Sequence, residues 1–140
     1  MAKKFYLDSC IWLDYFGDRK DGLRPLGEFA FQFLKKCENN NFSVLVSDTV
    51  VLELETILPK EQVKEIFSSF KRIIQKVNAS AEEVSEARKE WNKRSKNIPF
   101  KDILHAIISK NNNAVIISRD RHFLEDLSLI VEVQKPENLL

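Results

Sequence analysis

Short apolar runs alternate with amphipathic helical stripes along this chain, and that alternation restricts its fold more than any other feature. Strands separated by helices are joined side by side into a parallel sheet, with the helices packed over its faces. Lys4 to Leu7 (KFYL) is an apolar run bounded by charge and reads as a first buried strand ending at Asp8. Phe42 to Val46 (FSVLV), Arg72 to Val77 and Ala114 to Ile117 (AVII) read as a second, third and fourth strand, and Leu129 to Val133 as a fifth at an edge. Between them, Ile11 to Phe16 forms a short helical turn. Leu26, Phe29, Ala30, Phe33, Leu34 and Cys37 then recur at the spacing of one buried helix face. Phe31 falls off that stripe and is either a surface aromatic or a subunit contact.

Ser47, Asp48 and Thr49 offer N-cap oxygens to a helix carrying Glu53, and Pro59 ends it. Val63, Ile66, Phe67 and Phe70 mark the next amphipathic helix. Ser80 and Glu83 form an S-x-x-E capping box before a helix burying Val84, Ala87 and Trp91. The last long helix starts at Phe100 or Lys101, turns Ile103, Leu104, Ile107 and Ile108 inward, and ends at the asparagines 111–113. The expected fold is α/β, a parallel-sheet αβα sandwich of four or five strands, in a single domain over residues 1–140.

Composition narrows the function classes. With only 3 Gly and 4 Pro there is no flexible linker, and 44% hydrophobic residues suffice for a real core. The net charge of +1 leaves nucleic-acid binding to local clusters of Lys and Arg. Cys10 and Cys37 lack the spacing of a zinc knuckle or redox motif, which suits a reduced, cytoplasmic protein. Asp8 and Asp14 interrupt the N-terminal apolar stretch before a signal-peptide core could form. No run reaches the ~18 apolar residues of a membrane span, so no membrane partner is expected.

Four acids carry the chemistry. Asp8, Glu53, Asp102 and Asp120 each sit just after an expected strand or at the start of an expected helix, the edge of a parallel sheet where ligands bind. Carboxylates gathered there repel one another unless protons or a cation compensate them, and Mg²⁺ or Mn²⁺ is the usual cation. The chain therefore reads as a metal-dependent hydrolase, most simply a nuclease. From Arg88 to Lys101 the run supplies Arg88, Lys89, Lys93, Arg94, Lys96 and Lys101 against Glu90 alone, leading straight into Asp102. Arg94, Lys96 and Lys101, with Arg119 and Arg121 beside Asp120, are the candidate phosphate contacts. Trp91 has core spacing rather than that of a base-stacking platform. His105 and His122 share no metal-ligand spacing and read as packed or supporting residues outside the catalytic set.

These pieces together resemble the PIN domain, the small nuclease fold of VapC toxins and of RNA-processing enzymes. The likeness rests on Asp8-Ser9 after the first strand, Ser47 with Glu53 in SDTVVLELE, Asp102 in FKDILHAII, and Ser118, Asp120 and Phe123 in VIISRDRHF. It spans nearly the whole chain. Cys10 departs from it, since family members often carry Asn or another small polar residue there. The resemblance implies hydrolysis of RNA phosphodiester bonds. Asp8, Asp102 and Asp120 would hold one or two Mg²⁺ or Mn²⁺ ions, Glu53 would bind directly or through water, and Ser9 and Ser118 would orient the carboxylates. It also implies an antitoxin protein as partner and a homodimer, with Phe16 and Phe31 as the place to look for the contact. RNA maturation, or a PIN-like module that binds without cutting, are the alternatives. A haloacid-dehalogenase-type phosphatase would need a second Asp where Cys10 stands.

Overall fold

The computed structural model describes residues 3–94 and 97–140. Five parallel strands form one sheet in the order β3-β2-β1-β4-β5: β1 (Lys4–Leu7), β2 (Ser43–Ser47), β3 (Ile74–Val77), β4 (Val115–Ile117) and β5 (Val133–Gln134). The expected α/β sandwich is the observed one. Phe5 and Tyr6 pair with Val44 and Leu45 on one side and with Val115 and Ile116 on the other, so β1 is central. Near-continuous burial along β1, β2 and β4 follows from helices covering both faces.

The helices are α1 (Ser9–Gly17), α2 (Leu26–Asn39), α3 (Asp48–Glu55), α4 (Lys60–Ser68), α5 (Ala81–Lys93) and α6 (Phe100–Asn111). The chain first builds outward from β1 to β3, then returns to lay β4 on the opposite side of β1. Helix α1 packs against α2 and α3, and α3 against α4, while α5 packs against α6; right-handed crossovers would set these two groups on opposite faces of the sheet. The reversal of direction opens a crevice between the tips of β1 and β4. Asp8 stands at that point, its backbone N–H donating to Ile117 O at 3.0 Å.

Two strands differ from their expected bounds by more than one residue. Lys71 to Ile73 form a 3₁₀ turn, so β3 begins at Ile74. Leu127 to Leu129 also form a 3₁₀ turn, and Val133 rather than Leu129 enters the sheet, opposite Ile116. That turn buries Leu127 and Val131 while Leu129 stays 89% exposed, so an apolar run that looked like a strand packs as a turn. Helix α1 begins earlier than the apolar pattern implied, because the Asp8 carboxylate caps it. Gly27 permits α2 to cross the end of α1: a Cβ there would lie 2.5 Å from Asp18 Cα. Phe31, 37% exposed, stacks on Tyr15 and meets Phe70 edge-on within the chain. Among the described residues no helix is long and apolar enough to cross a membrane.

Candidate metal centre

Four separate segments deliver carboxylates to the crevice. Asp8 follows β1 and is buried; its Oδ1 accepts the Ser9 backbone N–H at 2.8 Å, and its Oδ2 accepts the Ser118 hydroxyl at 3.0 Å and the Cys10 thiol at 3.3 Å. Ser9 thus holds Asp8 through its backbone, its own hydroxyl lying 3.5 Å away. Cys10 supplies a weak donor at the place where a small polar residue was expected. Glu53 comes from α3, whose N-cap Ser47 accepts the Val50 N–H at 3.1 Å. Asp102 lies in the first turn of α6, where the helix dipole favours negative charge. Asp120 follows β4; its N–H donates to Ser118 Oγ at 3.0 Å and its Oδ1 accepts the His122 N–H at 2.8 Å.

Ligand atoms of Asp8, Glu53 and His105 lie within 4.8 Å of one another, as do those of Asp102, Asp120 and His122. Asp102 joins the two groups electrostatically. Burial first, then the neighbouring Asp8 and Asp120 charges, push its carboxyl up to about 6. Burial also raises Asp8 above the ordinary carboxylate range. The donors are carboxylate oxygens with uncompensated negative charge among them, a set that suits a hard divalent cation such as Mg²⁺ or Mn²⁺.

The candidate cations divide. Arg119 turns inward: its Nε lies 3.2 Å from Asp14 Oδ2, its Nη1 2.8 Å from Glu137 Oε2, and its guanidinium packs over Phe29. Those two carboxylates hold it in a largely buried ion-pair network, away from solvent. Arg121 is 86% exposed and Lys101 is exposed, both beside the acids. Arg94 faces Glu90 at 3.5 Å, and Lys96 lies outside the described residues. Trp91 packs edge-on against Phe100, in keeping with its core spacing.

Sequence reasoning passed over Tyr6, while His105, read as a packed or supporting residue, is fully buried and bonded to Glu53. The buried Tyr6 hydroxyl lies 2.6 Å from Ser47 Oγ and 2.5 Å from His105 Nδ1, while His105 Nε2 lies 2.5 Å from Glu53 Oε1. A tyrosine inside an otherwise apolar buried strand was the available signal, because a buried phenol needs a partner. His105, one helical turn beyond Asp102, was the other.

No family model matches the sequence, and no curated protein matches it. Solved structures do. A chain of the VapBC2 complex from Rickettsia felis, solved bound to a DNA fragment from its promoter, superposes with a TM-score of 0.69 at 17% identity over 94% of this chain and 98% of that one. The chain has a PIN-like fold. DNA-bound VapBC from Salmonella typhimurium matches it with a TM-score of 0.64 at 16% identity, over 97% of this chain and 99% of the other. FitAcB from Neisseria gonorrhoeae gives 0.60 at 17%, over 94% and 97%. At such identities the shared property is the PIN-like backbone, which spans nearly the whole length of each chain compared.

Proposed function

We propose that this chain is an Mg²⁺- or Mn²⁺-dependent ribonuclease, the toxin of a toxin–antitoxin pair. The observation that carries the reading is the gathering of Asp8, Glu53, Asp102 and Asp120 at the crevice beside β1, within a fold shared with chains of VapBC and FitAB complexes. Asp8, Asp102 and Asp120 would hold the cation, with Glu53 binding directly or through water. Bound there, it would activate a water and neutralise charge developing on phosphorus.

The chain's own residues supply the rest. Ser118 holds Asp8 by donating to it and holds the Asp120 backbone by accepting from it, so one hydroxyl fixes the spacing of two carboxylates from neighbouring strands. Lys101 and Arg121, exposed beside the acids, would bind phosphates flanking the scissile bond. An antitoxin would restrain the activity in a cytoplasmic setting. A homodimer would use the aromatic surface that includes Phe31.

The test is cleavage of a mixed structured RNA pool with Mn²⁺ or Mg²⁺, beside EDTA and Asp102→Asn controls. Metal-dependent cutting that falls to the EDTA background in the variant is expected. Equal cutting by Asp102→Asn, or cutting that persists in EDTA, would overturn the reading. For the toxin role, expression should arrest a bacterial host and co-expression of a small protein encoded beside the gene should relieve it.

A further inference from the structure

We propose that Tyr6 and His105 are positioning residues that aim Glu53 into the metal centre, and that His105 presents its Nε2 proton to Glu53 instead of serving as a metal ligand. The inference rests on the reading of Glu53 as part of that centre.

Four side chains form one continuous hydrogen-bonded run. Ser47 Oγ accepts the Val50 N–H at 3.1 Å and lies 2.6 Å from the Tyr6 hydroxyl; Tyr6 lies 2.5 Å from His105 Nδ1; His105 Nε2 lies 2.5 Å from Glu53 Oε1. The direction of the protons follows from the end of the run. An ionised carboxylate only accepts, so Nε2 must carry a proton toward Glu53. With a neutral ring, Nδ1 then accepts from the Tyr6 O–H, and Tyr6 accepts from the Ser47 O–H. Every proton in the run is used once. Burial and the nearby carboxylates Asp8, Glu53 and Asp48 keep Tyr6 a phenol, consistent with a donor there.

The run also closes on itself in space. It leaves α3 at the N-cap Ser47, passes through β1 at Tyr6 and α6 at His105, and returns to α3 at Glu53, with Tyr6, Ser47 and His105 all fully buried. Glu53 is otherwise a flexible side chain on a two-turn helix. Clamped at one oxygen from the buried side, it keeps the other oxygen for the crevice. Although His105 lies close enough to Asp8 and Glu53 to share a cation with them, both its ring nitrogens are already engaged.

Two measurements on the purified full chain decide this. Ring ¹⁵N NMR of His105, in EDTA and in Mg²⁺, should place a proton on Nε2 in both. A bare Nε2 with the proton on Nδ1 would overturn the assignment. Mn²⁺ affinity by calorimetry should fall about 10-fold in Tyr6→Phe and in His105→Leu, the scale on which residues behind metal ligands act. His105→Gln, whose amide N–H reaches a similar place, should restore it to within about 3-fold on that scale. Unchanged affinity in Tyr6→Phe with the fold intact, or His105→Leu binding as well as His105→Gln, would reduce the run to core packing and sink the proposal. Failure of the wild-type chain to bind Mn²⁺ at all would overturn the metal-site reading itself, and the NMR proton would still report on the run.

Discussion

Asp8 and Glu53 reach the centre from its dry side, Asp102 and Asp120 from its wet side, and the two sides are built differently. On the dry side Asp8 accepts from Ser9, Cys10 and Ser118, and Glu53 is bonded to His105, itself bonded to Tyr6. On the wet side no hydrogen bond between Asp102's carboxylate and another side chain is found among the described residues, and Asp120 is tied only through its backbone and a short turn. Its neighbour Arg121 is open to solvent, and His122 is half-buried. A rigid half paired with an uncompensated half is a sensible way to hold a cation: one side sets the geometry, the other supplies charge that a cation relieves.

The same contrast separates the two arginines around Asp120, and their variants should give the largest effect on stability. Arg119→Ala takes the shared guanidinium from Glu137 and from Asp14, whose side chain is only 6% exposed, and leaves Asp14 the longer contact to the half-exposed Arg19 at 3.8 Å. Breaking a buried pair from one side costs about 3 kcal/mol, and for a chain of this length the melting temperature should drop by about 10 °C. Arg121→Ala, one position beyond Asp120, should change stability by no more than about 0.5 kcal/mol and weaken RNA binding instead. Urea titrations of both variants test this. Similar losses from the two would erase the distinction between an inward and an outward arginine.

Ser118→Ala attacks the joint between the halves. Its hydroxyl is fully buried, donates to Asp8 and accepts from the Asp120 N–H. Removing it strips the Asp120 N–H of its acceptor and leaves Asp8 Oδ2 with the weak Cys10 thiol alone, a loss of about 1–2 kcal/mol, with cleavage falling by about 10- to 100-fold as the carboxylates lose their spacing. A variant as active as the parent would mean that the two strands hold the acids without help.

How much of this could be read from the chain depends on the range of the interaction. The α/β alternation, the Ser80–Glu83 capping box and the stripe through Ala30, Phe33, Leu34 and Cys37 are local patterns, and the structure repeats them. The placement of Asp8 and Asp120 after strands and of Asp102 in a first helical turn was equally local, whereas Glu53 lies in the last turn of α3 rather than at its start. Arg119 was not readable, because its partners Asp14 and Glu137 lie far from it in sequence and only the fold brings them together. The Tyr6–His105 bond spans 99 positions for the same reason. The edge strand was misplaced because Leu127 to Val131 is apolar whether it packs as a turn or pairs as a strand, and only its register with β4 decides.

Asp102→Asn gives a smaller change in stability than Ser118→Ala and the sharpest test of the wet half. In the folded chain its carboxyl titrates at about 6, above the ordinary 3.8, because of burial and the Asp8 and Asp120 charges. Between those two values the folded state holds more protons than the unfolded one, so this group makes the metal-free protein lose stability as pH rises from about 4 to about 7. Asp102 is only partly buried, so solvent screening reduces the contribution to about 1 kcal/mol, or about 3 °C in melting temperature. Asp102→Asn in EDTA should therefore melt higher than the parent at pH 7, and the two should converge toward pH 4.5. A weaker slope of the same sign should persist in the variant, because Asp8 is raised as well. Mg²⁺ should stabilise the parent more than the variant, since a cation and a lost charge relieve the same repulsion. A variant that melts lower than the parent at pH 7 would mean that Asp102 stabilises the fold rather than straining it.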